Sequence, residues 1–477
     1  MLLAAVMLVN AGVSAQDTEN LTIDGIKYTG DRTTMTATVA GTEGDFDKID
    51  VEIPENVNGY TVTGVGEYAF MFCSIKSIQL PNTITSIGNC SFWFCGKLEN
   101  VVFPNHLEYI GEQAFNYCEK LKNVIIPGSV KEISRMAFNR CKSIESFVVP
   151  EGITVIRDGT FTECTSLESV TLPSTLISIE QEAFEFCTNL TSIEFPFSLK
   201  SIGVLAFYGS GLTSLQIPAS LTQIEFDGEH WPFTNCNLSS IAVLEGNPVY
   251  DSRENCNAII ETATNTLILG STSTIFPTDV TTIGKFAFYS SPLQCVEIPN
   301  SIQTIEEGAF AECRELTQVK LPDALTSIEF LTFCGCEKLQ SITFPSTLQN
   351  IGERAFGRCE QVISLELPVC LKSIGYCAFC LCMNLQQVQS HIEEPFEIDD
   401  DAFNYNATLY VPKGTKDKYK ATAGWKKFKN IVEEDEDVIA KVKQKEETYT
   451  TYDLSGRRLS KMQRGINITN GKKVLIK

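Results

Sequence analysis

The sequence predicts a β-rich α/β solenoid: a right-handed superhelix of about 13 coils with a parallel sheet on one face, short helical turns and β caps. Three columns of residues predict it. Phenylalanine recurs at Phe70, Phe92, Phe115, Phe138, Phe161, Phe184 and Phe207, then at Phe288, Phe310, Phe333, Phe356 and Phe379. Proline keeps step at Pro81, Pro104, Pro127, Pro150, Pro173, Pro196 and Pro218, then at Pro299, Pro322, Pro345 and Pro368. Cysteine stands three residues after a Phe at Cys73, Cys95, Cys118, Cys141, Cys164, Cys187, Cys236, Cys313, Cys336, Cys359 and Cys382. A unit of this size cannot bury its own apolar face, so a fixed period means that units stack.

One unit, Cys118 to Phe138 (CEKLKNVIIPGSVKEISRMAF), assigns its own geometry. Alternation with a period of two sends Val124 and Ile126 inward and Asn123 and Ile125 outward. Pro127 ends the strand because it has no N–H for the neighbouring coil. Val130 and Ile133 turn the chain back inward. Ile133–Phe138 reads as one helical turn or a tight loop, and Cys141 fits a corner that needs a small apolar side chain.

Strands of the LTSVTLP type followed by I-G-x-x-A-F-x-x-C, over about residues 60–390, resemble the BspA-like leucine-rich repeats of bacterial surface proteins. The resemblance implies a gently curved leucine-rich repeat solenoid that binds partners and performs no chemistry.

Of 477 residues, 43 % are hydrophobic, enough for a large core that the repeat makes linear. The net charge of −21 makes the chain a poor partner for nucleic acid or anionic membranes. Residues 1–15, ending in Val13-Ser14-Ala15, read as a secretory signal peptide too short to span a bilayer. No other stretch is long and apolar enough for a transmembrane helix, so no membrane insertion is expected. The localisation expected is secreted, extracellular or on the outer cell surface.

In chain order, residues 16–59 are polar with alternating strands at Thr34–Val39 and Asp50–Ile53, an N-terminal β cap over the first coil. Repeats fill 60–224. The period breaks over 225–279, an irregular long repeat in which Ala258–Glu261 and Thr266–Leu269 form a hairpin. Repeats resume over 280–390. Residues 391–432 form a C-terminal cap, with a strand at Thr408–Val411 and a helix at Lys416–Ala423 that sets Trp425 and Phe428 against the last coil. Residues 433–447 are a charged linker. Residues 448–477 form a small β tail, in which Asn470-Gly471 between Ile466-x-Ile468 and Val474-x-Ile476 signals a hairpin. With Tyr452-Asp453-Leu454-x-Gly456-Arg457 as its opening, the tail is similar to a type IX secretion sorting domain. The alternative is an inert β appendage.

Secretion permits disulfides, but the spacing makes the eleven periodic Cys a ladder of free thiols in the core. Cys90, Cys256, Cys295, Cys334, Cys370, Cys377 and Cys380 are scattered. Cys377-x-x-Cys380 has no second pair or nearby histidine in sequence, so no metal site is expected. Asp251, Glu254 and Asp279 lack the order of a calcium loop and read as turn charges. The three histidines, His106, His230 and His391, fall at unrelated repeat positions. No G-x-S-x-G, Walker loop or H-E-x-x-H occurs. Glu194 and Glu366 stand too many coils apart for a glycosidase pair. The expectation is no enzyme, no cofactor and no catalytic residue.

Binding is better supported. The outward strand position carries Val102, Ile125 and Val148 on consecutive coils, flanked by Asn100, Asn123 and Ser146. A neighbouring ladder, two residues after the Phe, carries Phe72, Phe94 and Tyr117. Contiguous exposed apolar surface marks interaction sites. Equally, β-branched residues favour strands whether or not anything binds, and the rings could tuck into the coil edge. The expected function is recognition or adhesion by a monomer that binds an extracellular protein or glycan through the concave sheet. The alternative is a structural spacer without a specific ligand.

Overall fold

The computed structural model describes residues 17–434 except Asp45, and in the tail four strands, Thr451–Tyr452, Arg458–Leu459, Gly465–Thr469 and Lys472–Ile476. The expected leader and nearly all of the expected linker lie outside the described residues.

Each 23-residue unit makes one coil with three sides. One side is a parallel face ladder. It begins with Asp50–Glu52, Ser77–Gln79 and Asn100–Val102, resumes with Ser146–Val148 beside Ser169–Thr171, and ends with Ser364–Leu367, Gln387–Ser390, Thr408–Val411 and Asn430–Glu433. The second side is a ladder of two-residue strands such as Tyr109–Ile110, paired in parallel with Ser86–Ile87 and Glu132–Ile133. Apolar spacing alone marks Ile133 as an inward turn and does not show this pairing.

On the third side the tight loop holds and not the helical turn. The segment around each Phe is a run of tight turns, stitched to the next coil by bonds such as Phe92 N to Ala114 O and Phe115 N to Ala137 O, both 2.8 Å. Two residues per coil stand in the left-handed region, two before and two after the Phe, as at Gln113 (φ 54°) and Tyr117 (φ 61°). An α-helical turn excludes both. Among the described residues the α-helix is confined to Lys416–Ala421, close to the helix expected in the cap.

Inside, the phenylalanines form a column. From Phe70 to Phe207 adjacent rings stack 5.0–6.0 Å apart, and Phe233 adds itself at 5.4 Å. From Phe288 to Phe379 the column repeats, and Phe403 joins at 4.9 Å. Beside it runs the thiol ladder. Cys118 Sγ donates to Phe92 O, Cys141 to Phe115 O and Cys164 to Phe138 O, each at 3.2 Å. Every ladder thiol after Cys73 bonds a Phe carbonyl of the preceding coil in this way. The corner therefore takes a small side chain that packs as an apolar group yet satisfies a buried acceptor. Burial pushes the Cys164 thiol up to about 12 and holds Cys118 and Cys141 well above the ordinary range. Native protein treated with iodoacetamide at pH 8 should therefore label the exposed Cys295 and Cys370 and spare the buried ladder from Cys95 onward. Peptide mapping before and after denaturation checks this; alkylation of Cys141 in native protein would contradict it.

The columns break at the irregular unit, where the hairpin Ala258–Glu261 and Thr266–Gly270 enters. Phe288 lies over Gly270, where a Cβ would meet the ring at 2.0 Å. The turn-side stitching here passes to side chains, Trp231 Nε1 to Lys285 O (2.9 Å) and Ser290 Oγ to Asn235 Oδ1 (3.1 Å). The core accordingly divides into two clusters, one running to Leu269 and one starting at Cys256. At the ends, strands Thr18–Ile23, Ile26–Asp31 and Thr36–Thr42 cover the first coil. Trp425 and Phe428 close the last coil against Phe403.

Candidate functional site

In Asn100–Val102 the middle residue faces the core while Asn100 and Val102 face out, as period-two alternation requires. The same holds for Ser146–Val148, where Phe147 is buried between exposed Ser146 and Val148. Val102, Ile125 and Val148 are 56, 79 and 61 % exposed, so their own coils do not cover them. The run is bounded by polar outward residues, Gln79 before it and Thr171 after it.

The middle coil departs from the expected strand. Asn123 stands at φ 49°, and no β pairing joins residues 123–125 to Asn100–Val102 or to Ser146–Val148. The Lys122 amide still reaches Glu99 O at 3.0 Å. Among the described bonds, residues 123–126 make no main-chain hydrogen bond, so their polar groups are left to solvent or a ligand beside exposed Ile125.

The aromatic residues form a separate stripe on the turn side. Phe72 and Phe94 lie 5.3 Å apart, and Phe94 stacks on Tyr117 at 4.1 Å. Arg140 closes the stack, its guanidinium 4.7 Å over the Tyr117 ring and its Nη1 donating to the Tyr117 hydroxyl at 2.7 Å, while its other arm pairs with Glu163. All three rings sit at the left-handed position two after the core Phe, which recurs along the array and is therefore repeat geometry rather than local strain. The corner Cys and the following Leu separate this stripe from the face ladder. Among the described contacts none joins Phe72, Phe94 or Tyr117 to Val102, Ile125 or Val148. The nine residues thus make two stripes rather than one patch.

Sequence reasoning missed members of both. Half-buried Trp93 lies between Phe72 and Phe94, its indole N–H without an acceptor among the described residues, and Tyr68 is exposed on the coil of Phe70. Their repeat positions, one after and two before the Phe, were the available signal. A second exposed apolar set, Ile363, Val369, Leu381 and Met383, falls outside the outward strand position followed in the sequence.

Surface charge is largely paired coil to coil. Lys131 reaches Glu108 and Lys142 reaches Glu119, both at 2.8 Å, exposed pairs that contribute about 0–1 kcal/mol each. Asp251 and Asp279 are both held by Arg253 rather than standing as solvated turn charges. Glu185 is the exception. Partial burial, then Glu182 and Glu163, push its carboxyl up to about 7. Its folded pKa exceeds the unfolded value, so its contribution falls as pH rises from about 4.5 to 7. Glu185→Gln should raise stability at pH 8 by up to about 1 kcal/mol, after solvent screening, and leave it nearly unchanged at pH 4. Urea midpoints at the two pH values check this; equal shifts at both would contradict it.

Among the described residues no group of three His, Cys, Asp or Glu side chains is placed to hold a metal ion. Among the described residues no helix is long and apolar enough to cross a membrane. A groove of about 380 Å³ between Thr272–Phe276 and Cys295–Pro299 is lined by none of the nine residues.

Residues 49–168, 154–249 and 270–410 match the family profile described as BspA type leucine rich repeat region, in six copies. Among solved structures, a leucine rich cell surface protein from Faecalibacterium prausnitzii is 27 % identical, covering 87 % of this chain and 99 % of its own, with a TM-score of 0.58. A leucine-rich repeat protein from Bacteroides ovatus is 26 % identical over 82 % of this chain and 100 % of its own, with a TM-score of 0.51. The pneumococcal vaccine antigen PcpA, 20 % identical over 87 % of this chain and 99 % of its own with a TM-score of 0.52, shares the fold. Comparison with curated proteins finds no match.

Proposed function

The chain belongs to the BspA-type leucine-rich repeat family, and we propose that it works at the cell surface or outside the cell as a recognition or adhesion protein. Its ligand is an extracellular protein or glycan, gripped on the first coils of the array. The observation that carries this reading is the exposure of Val102, Ile125 and Val148 on successive coils beside main-chain groups that no neighbouring coil pairs. Such a surface favours a ligand that brings both apolar contact and hydrogen bonds. The aromatic stripe of Phe72, Phe94 and Tyr117 offers a second contact along the edge of the same coils. A bacterial relative described as a cell surface protein supports the location.

The test is solid-phase binding of the full chain to host matrix proteins and to a glycan array. Val102→Glu with Ile125→Glu should leave the circular dichroism unchanged and weaken capture at least about tenfold, roughly 1.4 kcal/mol. Phe94→Gly isolates the second stripe. Gly209 and Gly335 hold the equivalent position at φ 62° and 74°, so glycine removes the ring without a new backbone demand. Unaltered capture by both variants would move the ligand elsewhere, and no capture by the parent chain would favour a spacer.

A further inference from the structure

On the turn side of the coil of Phe379, two cysteines outside the thiol ladder stand three residues apart. Cys377 lies two residues before Phe379 at φ 52°, and Cys380 follows it. The Cys380 amide donates to the Cys377 carbonyl at 3.0 Å. The chain therefore makes a β-turn whose end Cα atoms lie within about 7 Å, against the roughly 4.4–6.8 Å that a disulfide spans. The residues between them, Ala378 and Phe379, are fully buried and hold the turn in place. Side chains at these two repeat positions meet, as the coil of Phe115 shows independently, where Asn116 Nδ2 donates to Gln113 Oε1 at 3.2 Å. Cys377 and Cys380 are both partly exposed, and among the described residues neither donates to a main-chain carbonyl as the ladder thiols do. Above Cys380, Gly357 adds no side chain. A Cβ there would lie 3.5 Å from Sγ of both Cys380 and Cys334, so the slot between these two thiols stays open.

We propose that Cys377 and Cys380 are a redox-active dithiol that closes to a disulfide by exchange with a low-molecular-weight disulfide. Burial pushes the Cys380 thiol up to about 12, which disfavours it as the attacking thiolate. Cys377 attacks and Cys380 resolves. The Cys377 sulfur gives up its proton and attacks one sulfur of RS–SR, breaking that bond and releasing RSH. The Cys380 sulfur then attacks Cys377, breaking the mixed disulfide, and its proton leaves with the second RSH. One disulfide is reduced to two thiols, and two cysteines are oxidised to one disulfide. Cys334, across the open slot, is the competing third thiol.

The site stands apart from the proposed binding surface, and its test needs no ligand. Reduced full chain is incubated with glutathione disulfide, denatured, alkylated and digested with trypsin. Peptide 373–413, which contains Cys377, Cys380 and Cys382, is expected to lose two hydrogen atoms and to be alkylated at Cys382 alone. Cys380→Ser, with unchanged circular dichroism, should instead retain glutathione on Cys377. Alkylation of both Cys377 and Cys380 while Cys295 and Cys370 become glutathionylated would overturn the proposal, as would a Cys334–Cys380 bond. The parent chain alone decides the matter if the variant fails to fold.

Discussion

Phe161→Ala is expected to lower the unfolding free energy by about 3–5 kcal/mol and to divide one cooperative transition into two. The ring is fully buried between Phe138 at 6.0 Å and Phe184 at 5.2 Å, with the Phe147 edge 4.6 Å away. Its loss removes transfer free energy and leaves a cavity that the flanking rings cannot fill, because each is tied to its own coil by the turn-side bonds. In a globular domain that cost would spread over the whole core. Here each coil touches only its neighbours, so the cost falls on the contacts between the coils of Phe138, Phe161 and Phe184. Urea unfolding followed by circular dichroism should show a reduced first midpoint. Hydrogen exchange should rise first around residues 155–180. A loss below about 1 kcal/mol would mean that the column is decorative and that the two strand ladders hold the coils.

The column was legible in the sequence because stacking demands the same side chain at the same place in every coil. Phe233 and Phe403 escaped because their surroundings depart from the pattern. Phe233 sits inside the irregular unit, and Phe403, though preceded by Ala402, has Asn406 where the corner Cys should stand. Apolar spacing leaves the turn side open between a helical turn and a tight loop, because it marks which residues point inward and not the sign of φ at Gln113 or Tyr117. The outward direction of Val102 and Val148 followed from period-two alternation and holds in the structure. The missing strand at residues 123–125 did not follow. Asn123 tolerates the left-handed region more readily than most residues, yet nothing in its unit distinguishes it from Asn100, which is a paired strand residue. Nor could spacing tell that the face stripe and the aromatic stripe occupy different sides of a coil. That depends on where the turns place the corner after each Phe.

Trp425→Ala should open the array from its C-terminal end. The indole is fully buried against Phe403 and Tyr419, with ring centroids 5.8 and 5.2 Å away, and its Nε1 donates to Phe396 O at 2.8 Å. Truncation costs about 3–5 kcal/mol for the cavity, and stranding the Phe396 carbonyl adds about 1–3 kcal/mol. The cap is then held by Tyr419, bonded to Ser390 Oγ (2.6 Å) and Ile392 O (2.8 Å), and by the pairing of Thr408–Val411 with Gln387–Ser390, while of the two covering rings Phe403 keeps only Phe428. An uncapped solenoid exposes a full cross-section of apolar core, so the coils of Phe403 and Phe379 should fray next. The seam sets the limit of that fraying. The cluster ending at Leu269 shares no core residue with the one starting at Cys256, and the turn-side stitching between them rests on side chains. Hydrogen exchange of the variant should therefore climb over residues 290–430 and stay near the parent level over residues 60–220. Ligand capture by the first coils should survive. Loss of protection throughout the chain at one shifted midpoint would show instead that the seam transmits stability as fully as any coil contact.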